Sequence, residues 1–260
     1  MKIKDRFWLW GHPEGRYNME YGNNKISRMT PREGCAYLGI SNVFMVPVGV
    51  DVNRRSYNKS FKGLRQVGWE IDAAGLDPTV VEQVIQEAKE FSNITTCVFD
   101  DFQNLRKDGK TDLDSIWKTR ERMHNNPVRP LDLWMVLYTH EFGVDQEKDT
   151  EFRKYIDPFD GVIMWNWWEK NVPQIPEKWE KFKVLTEGKR RMFGCYLWDF
   201  GGAKEATREA VLWQLDFYRE QILKGEAEGV VLHTNTMADL DYDVYDAAVE
   251  WMQLHGEEDI

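Results

Sequence analysis

The feature that most constrains this chain is a regular alternation between short strand-like runs and longer helical segments. Eight runs rich in β-branched and aromatic residues lie at 7–11, 42–49, 66–71, 94–99, 131–138, 161–165, 192–197 and 229–233. Between them stand helix signals. Thr30-Pro31-Arg32-Glu33 combines a capping Thr, a Pro at the first helical position and the Glu of a capping box. Asp77-Pro78 opens a helix reaching about residue 91, and further helices are expected at 113–124, 207–224 and 243–254. Alternation of this kind builds βα units on a parallel sheet. Eight units close a barrel, and 260 residues suit the about 250 that such a barrel takes as one unit. The expected fold is therefore α/β, a single (β/α)8 TIM barrel over residues 1–260. An open doubly wound sheet is the rival, but no Gly-rich nucleotide fingerprint follows any of the strands. No internal repeat or low-complexity linker divides the chain, so one domain is the simplest partition.

Charge narrows the partners. Lys and Arg number 34 against 44 Asp and Glu, a net charge of −10 that repels phosphate backbones and argues against nucleic acid. The basic runs Arg54-Arg55 and Lys189-Arg190-Arg191 are short and read as solvated surface. Cys35, Cys97 and Cys195 show no CxxC pairing and read as reduced, buried thiols. The segment MKIKDRFWLWGH lacks the apolar stretch of a signal peptide, and no run approaches the ~20 apolar residues of a membrane span. The expectation is a cytoplasmic protein with no membrane partner.

In a (β/α)8 barrel the chemistry sits at the C-terminal ends of the strands. The polar residues there are His12, Glu70, Asp100 and Asp101, His140 and Glu141, Asn166 and Glu169, Asp199, and His233 and Asn235. His124 and His255 instead close helices, where a cation favours the dipole. Phe99-Asp100-Asp101-Phe102 is the sharpest of these features, because adjacent carboxyl groups after a buried strand are costly unless paired, bonded or used. Side chains alternate along a strand, so the two cannot enter the mouth alike. The bland reading is that they cap the following turn. Glu141 and Asp199 are the partners expected to converge on this pair, although each would also serve as half of a surface ion pair.

Aromatic content points to the ligand. There are 12 tryptophans, and Trp165, Trp167, Trp168 and Trp198 cluster at the ends of the sixth and seventh strands. Sugar rings stack their C–H faces on indole and bond their hydroxyls to Asp, Glu, Asn and His. Trp117, Trp179, Trp213 and Trp251 lie in helical patterns and read as packing.

The strand-to-FDDF arrangement, the WNWWE run after strand six and the LWDFGG run after strand seven resemble (β/α)8-barrel glycoside hydrolases, of no specific family. The resemblance implies cleavage of a glycosidic bond in a carbohydrate by two carboxyl groups, with no metal or cofactor. Asp101 is then the acid, and Asp199 or Glu141 the nucleophile or base. Asp100, His12, Glu70, His140, Asn166, His233 and Asn235 would position the sugar, and Trp165, Trp168 and Trp198 would stack on it. Two departures stand out: the Asn-Glu pair after strand four is replaced by Asp100-Asp101, and the DxxDxDxE pattern of chitinase-like barrels is absent. One alternative is a metal-dependent sugar isomerase or hydrolase, for which His12, Asp100, His140, Glu141, Asp199 and His233 are suitable ligand types. Against it, His12-Pro13-Glu14 lacks the His-x-His of amidohydrolase-like barrels. The other alternative is a carbohydrate-binding barrel without catalysis. A phosphosugar enzyme is disfavoured by the acidic loop TNTMADLDYD after the last strand.

Overall fold

A computed structural model of the chain describes residues 1–15, 19–72 and 76–260. Its centre is a closed barrel of eight parallel strands, each paired with its sequence neighbours, with the last closing onto the first. In chain order these are β1 (Phe7–Gly11), β2 (Asn42–Met45), β3 (Gln66–Glu70), β4 (Ile94–Phe99), β5 (Asp132–Tyr138), β6 (Gly161–Trp165), β7 (Arg190–Tyr196) and β8 (Gly229–His233). The helices are α1 (Pro31–Tyr37), α2 (Arg54–Ser60), α3 (Pro78–Glu90), α4 (Phe102–Lys107), α5 (Leu113–His124), α6 (Gln146–Ile156), α7 (Ile175–Leu185), α8 (Arg208–Leu223), α9 (Asn235–Ala238) and α10 (Asp243–His255). This is the (β/α)8 barrel that the alternation of elements implies. Among the described residues, no helix is long and apolar enough to cross a membrane.

The local signals act as their chemistry requires. Thr30 accepts the Glu33 N–H while Glu33 reaches back to Thr30, and Asp77 caps α3 through the Thr79 N–H. β2 is shorter than the expected 42–49, because Pro47 has no N–H to give to a ladder. β7 begins earlier than expected, at Arg190, where its ladder with β6 starts opposite Gly161.

Strand alternation divides the core in two. One set of side chains packs between barrel and helices; the other fills the lumen, with Trp8, Trp10, Phe44, Val46, Trp134, Val136, Ile163 and Trp165 among its members. Trp10 of β1 meets Trp165 of β6 edge-on with ring centroids 5.6 Å apart, a contact across the barrel rather than along its wall. Room for the large rings comes from glycine. A Cβ on Gly194 would lie 1.9 Å from the Trp165 ring, and one on Gly161 would lie 2.3 Å from the Trp134 ring. The lumen is packed solid, so a ligand is confined to the mouth. The three cysteines are free and buried.

Candidate active site

Continuing the inward alternation past each strand end gives the side chains at the mouth. From β3 these are Glu70 and Asp72, from β4 Asp100, from β5 Tyr138, from β6 Trp167, from β7 Tyr196 and from β8 His233, with His12 following β1. On one side of the mouth a chain of hydrogen bonds links the carboxyl groups. The Asp100 N–H donates to Asp72 Oδ1 (3.2 Å), and the Asp101 N–H donates to Asp100 Oδ1 (2.9 Å). The Tyr138 hydroxyl then donates to Asp101 Oδ1 (2.8 Å), with the Tyr196 hydroxyl 3.5 Å from that of Tyr138. Glu70 stands outside this chain and accepts the Val48 N–H on its Oε2 at 3.3 Å.

The backbone bends to make this arrangement. Asp101 lies in the left-handed region at φ 45°, and so does Val48 at φ 54°. Such conformations cost a non-glycine residue on the order of 1 kcal/mol and concentrate where function demands them. The turn at Asp101 takes its side chain out of strand alternation and leaves it exposed beside the half-buried Asp100.

Crowding of like charges under low solvation sets the protonation. Burial lifts Glu70 to about 7, with the Asp101 charge adding to the lift and the Val48 N–H and Arg54 opposing it. Burial, then Glu70 and Asp100, hold Asp72 well above the carboxylate range. Burial, then Asp101 and Glu70, do the same for Asp100. Near neutral pH this pocket therefore retains protons that free carboxyl groups would have lost. Glu141, after β5, also rises to about 7 through burial, against the pull of the Tyr138 N–H and Lys107 and with the push of Asp101. The Asp101 charge is thus felt by two carboxyl groups that titrate near neutrality.

The opposite side of the mouth is neutral. Burial lowers His12 to about 4 and His233 well below its usual value. His12 Nδ1 lies 2.7 Å from the Val46 carbonyl, which can only accept, so Nδ1 carries the proton. Its Nε2 is then an acceptor, and His233 Nε2, 3.3 Å away, must donate to it.

The structure brings together Glu70, Asp100, Asp101 and Glu141, with His140 and Trp168 on the rim. His140 is exposed, its ring 5.5 Å from Tyr138 and 5.1 Å from Trp168. Other expected site residues are occupied elsewhere. Asp199 Oδ1 accepts the N–H groups of Glu169 and Gly202, both at 3.0 Å, so this carboxylate pins the loops after β6 and β7 instead of facing Asp101. Asn166 bonds Thr139 and the Trp168 carbonyl. Asn235 bonds the backbone of His12 in both directions and the Met29 carbonyl, so both amides are spent on the scaffold. Trp165 is buried in the lumen, and Trp198 turns outward, its indole N–H donating to the Tyr21 carbonyl at 3.0 Å. Sequence reasoning missed Asp72, Tyr138 and Tyr196, and noted Trp167 in the tryptophan cluster without giving it a role at the mouth. Asp72 is two residues beyond Glu70 and Trp167 two beyond Trp165, so strict period-two counting past the strand ends would have found both. Among the described residues no three His, Cys, Asp or Glu side chains converge as a metal-binding group.

No family model matches the sequence, and no curated protein matches it. Solved structures do. The catalytic domain of a hyperthermophilic chitinase from Pyrococcus furiosus superposes with a TM-score of 0.61 at 11% identity, covering 98% of this chain and 97% of that one. A chitinase from Chromobacterium violaceum gives 0.56 at 9% identity, over 95% and 98% of the two chains. An HpcH/HpaI aldolase from Desulfitobacterium hafniense gives 0.52 at 10% identity, over 98% and 95%. At these identities the likeness is one of fold, an eight-stranded parallel barrel that glycoside hydrolases share with aldolases.

Proposed function

We propose that the protein is a glycoside hydrolase in which Asp101 and Glu70 are the reacting carboxyl groups. The observation that carries this reading is the carboxyl cluster itself: an exposed, tyrosine-bonded Asp101 beside a buried Glu70 that holds its proton to about pH 7. Glycosidic cleavage needs one carboxyl group that gives a proton to the leaving oxygen and another that attacks the anomeric carbon or activates water. Glu70 suits the first task at neutral pH and Asp101 the second, a reversal of the assignment in which Asp101 is the acid. Asp100 is a positioning residue, fixing the Asp101 backbone through its N–H. Glu141 is the second proton-holding group within the field of Asp101. Trp168, His140 and the half-buried Trp167 supply ring faces and polar edges at the rim for a carbohydrate.

The test is to incubate wild type, Asp101→Asn and Glu70→Gln with pooled oligosaccharides and aryl glycosides and to follow products by mass spectrometry. Wild type should release sugar, and each folded variant should lose about 10²–10⁴-fold in rate, the usual contribution of one acid or base. Sugar binding by all three proteins, with no turnover by any, would instead mark a carbohydrate-binding barrel.

A further inference from the structure

The mouth extends sideways. A cavity of 560 Å³ opens between α4 and α6 and takes His140 and Glu141 into its wall. α4 starts directly after Asp101, so the helix that follows the candidate reactive loop also lines this cavity, through Gln103, Arg106 and Lys107. Arg106 is held in place: its Nε and Nη2 donate to Gln103 Oε1 at 3.0 and 2.9 Å, and its guanidinium lies 5.0 Å from the Tyr155 ring centroid. Among the described residues, neither Arg106 nor Lys107 forms an ion pair. Lys107 lines the same cavity as His140 and Glu141, and of the charges felt by those two residues its own is the largest. The nearby carboxylates are directed elsewhere. Glu141 Oε2 accepts the Tyr138 N–H at 2.9 Å and Asp149 Oδ2 accepts the Gly143 N–H at 2.8 Å, while Glu151 is exposed on α6.

A fixed guanidinium and an ammonium that form no ion pair, beside a Glu141 that burial holds protonated to about pH 7, form a receptor for an anion. The cavity has room for one further sugar unit beyond the one lying over Asp101. We infer that the α4–α6 cavity is a subsite for a sugar unit bearing an anionic group (carboxylate, sulfate or phosphate), received by Lys107 and Arg106. This rests on the glycan reading of the mouth and adds the substrate class to it.

Calorimetric titration of the full chain tests it, using uronate, sulfated and phosphorylated oligosaccharides, each beside its neutral counterpart of the same linkage. The best anionic member should bind about tenfold more tightly than its neutral counterpart at low salt, and the advantage should shrink as ionic strength rises. The three anion types distinguish the source of the charge. Lys107→Gln combined with Arg106→Gln should bring charged and neutral members within about twofold of one another. Equal affinity for charged and neutral members in wild type, or an advantage that survives both substitutions, overturns the inference while leaving the glycan reading intact. Failure of wild type to bind any member overturns both.

Discussion

Glu70 is a carboxyl group whose chemistry departs far from its type. Its folded value of about 7 lies above the ordinary value of 4.5, so the folded state binds the proton more tightly than the unfolded chain does. Stability contributed by that proton is present below about pH 4.5 and is lost as pH rises through 7. Glu70→Gln should therefore flatten the pH dependence of stability, narrowing the difference between pH 5 and pH 8 by about 2–3 kcal/mol. Urea unfolding at the two pH values checks this, and an unchanged difference would mean that Glu70 ionises freely. At this scale the sequence was legible for chemical type and less so for direction. Asp100, Asp101, Glu141 and Glu70 stand out as polar residues after apolar strands. That Asp199, Asn166 and Asn235 bond backbone groups of neighbouring loops depends on how those loops fold over one another, which spacing does not encode.

At the scale of elements, the strands were legible because each is an apolar run bounded by polar residues, and several coincide with their expected bounds. The helices that escaped notice are α2, α4, α6, α7 and α9. Three of them are very short: α2 spans seven residues, α4 six and α9 four, leaving little periodicity to detect. α6 does carry a capping Asp145, but it buries only Phe152 and Ile156 among charged residues. The interior of the barrel makes a sharper demand than any helix. Gly194→Ala places a methyl group against the Trp165 ring, which is already enclosed by Trp10 and Tyr196. The substitution should cost about 1–3 kcal/mol, the usual penalty of overpacking. Thermal denaturation would show it as a lowered Tm; an unchanged Tm would mean that the lumen is looser than its contacts indicate.

For the molecule as a whole, closure is what holds the mouth together. β1 pairs with β8, and outside the barrel the two chain ends clasp one another. The Ile3 N–H donates to Glu258 O (2.9 Å), the Lys4 N–H to Gly256 O and the Ile260 N–H to Met1 O (both 3.0 Å). Glu258 also pairs with Arg219 of α8. Truncation after His255 removes these bonds, at about 1 kcal/mol for each backbone hydrogen bond, and should lower Tm by roughly 5–10 °C. A truncated chain melting with the intact one would show the clasp to be incidental.

Asp101 and Glu70 are proposed to break a glycosidic bond, with Glu70 as the acid. The most direct measurement compares wild type, Asp101→Asn and Glu70→Gln on one sugar carrying either a poor alkyl or an activated dinitrophenyl leaving group. An activated leaving group departs without a proton, so Glu70→Gln should fail on the alkyl glycoside yet keep most of its rate on the activated one, while Asp101→Asn fails on both. Equal losses on the two substrates by Glu70→Gln, or wild-type rates in Asp101→Asn, would contradict the account.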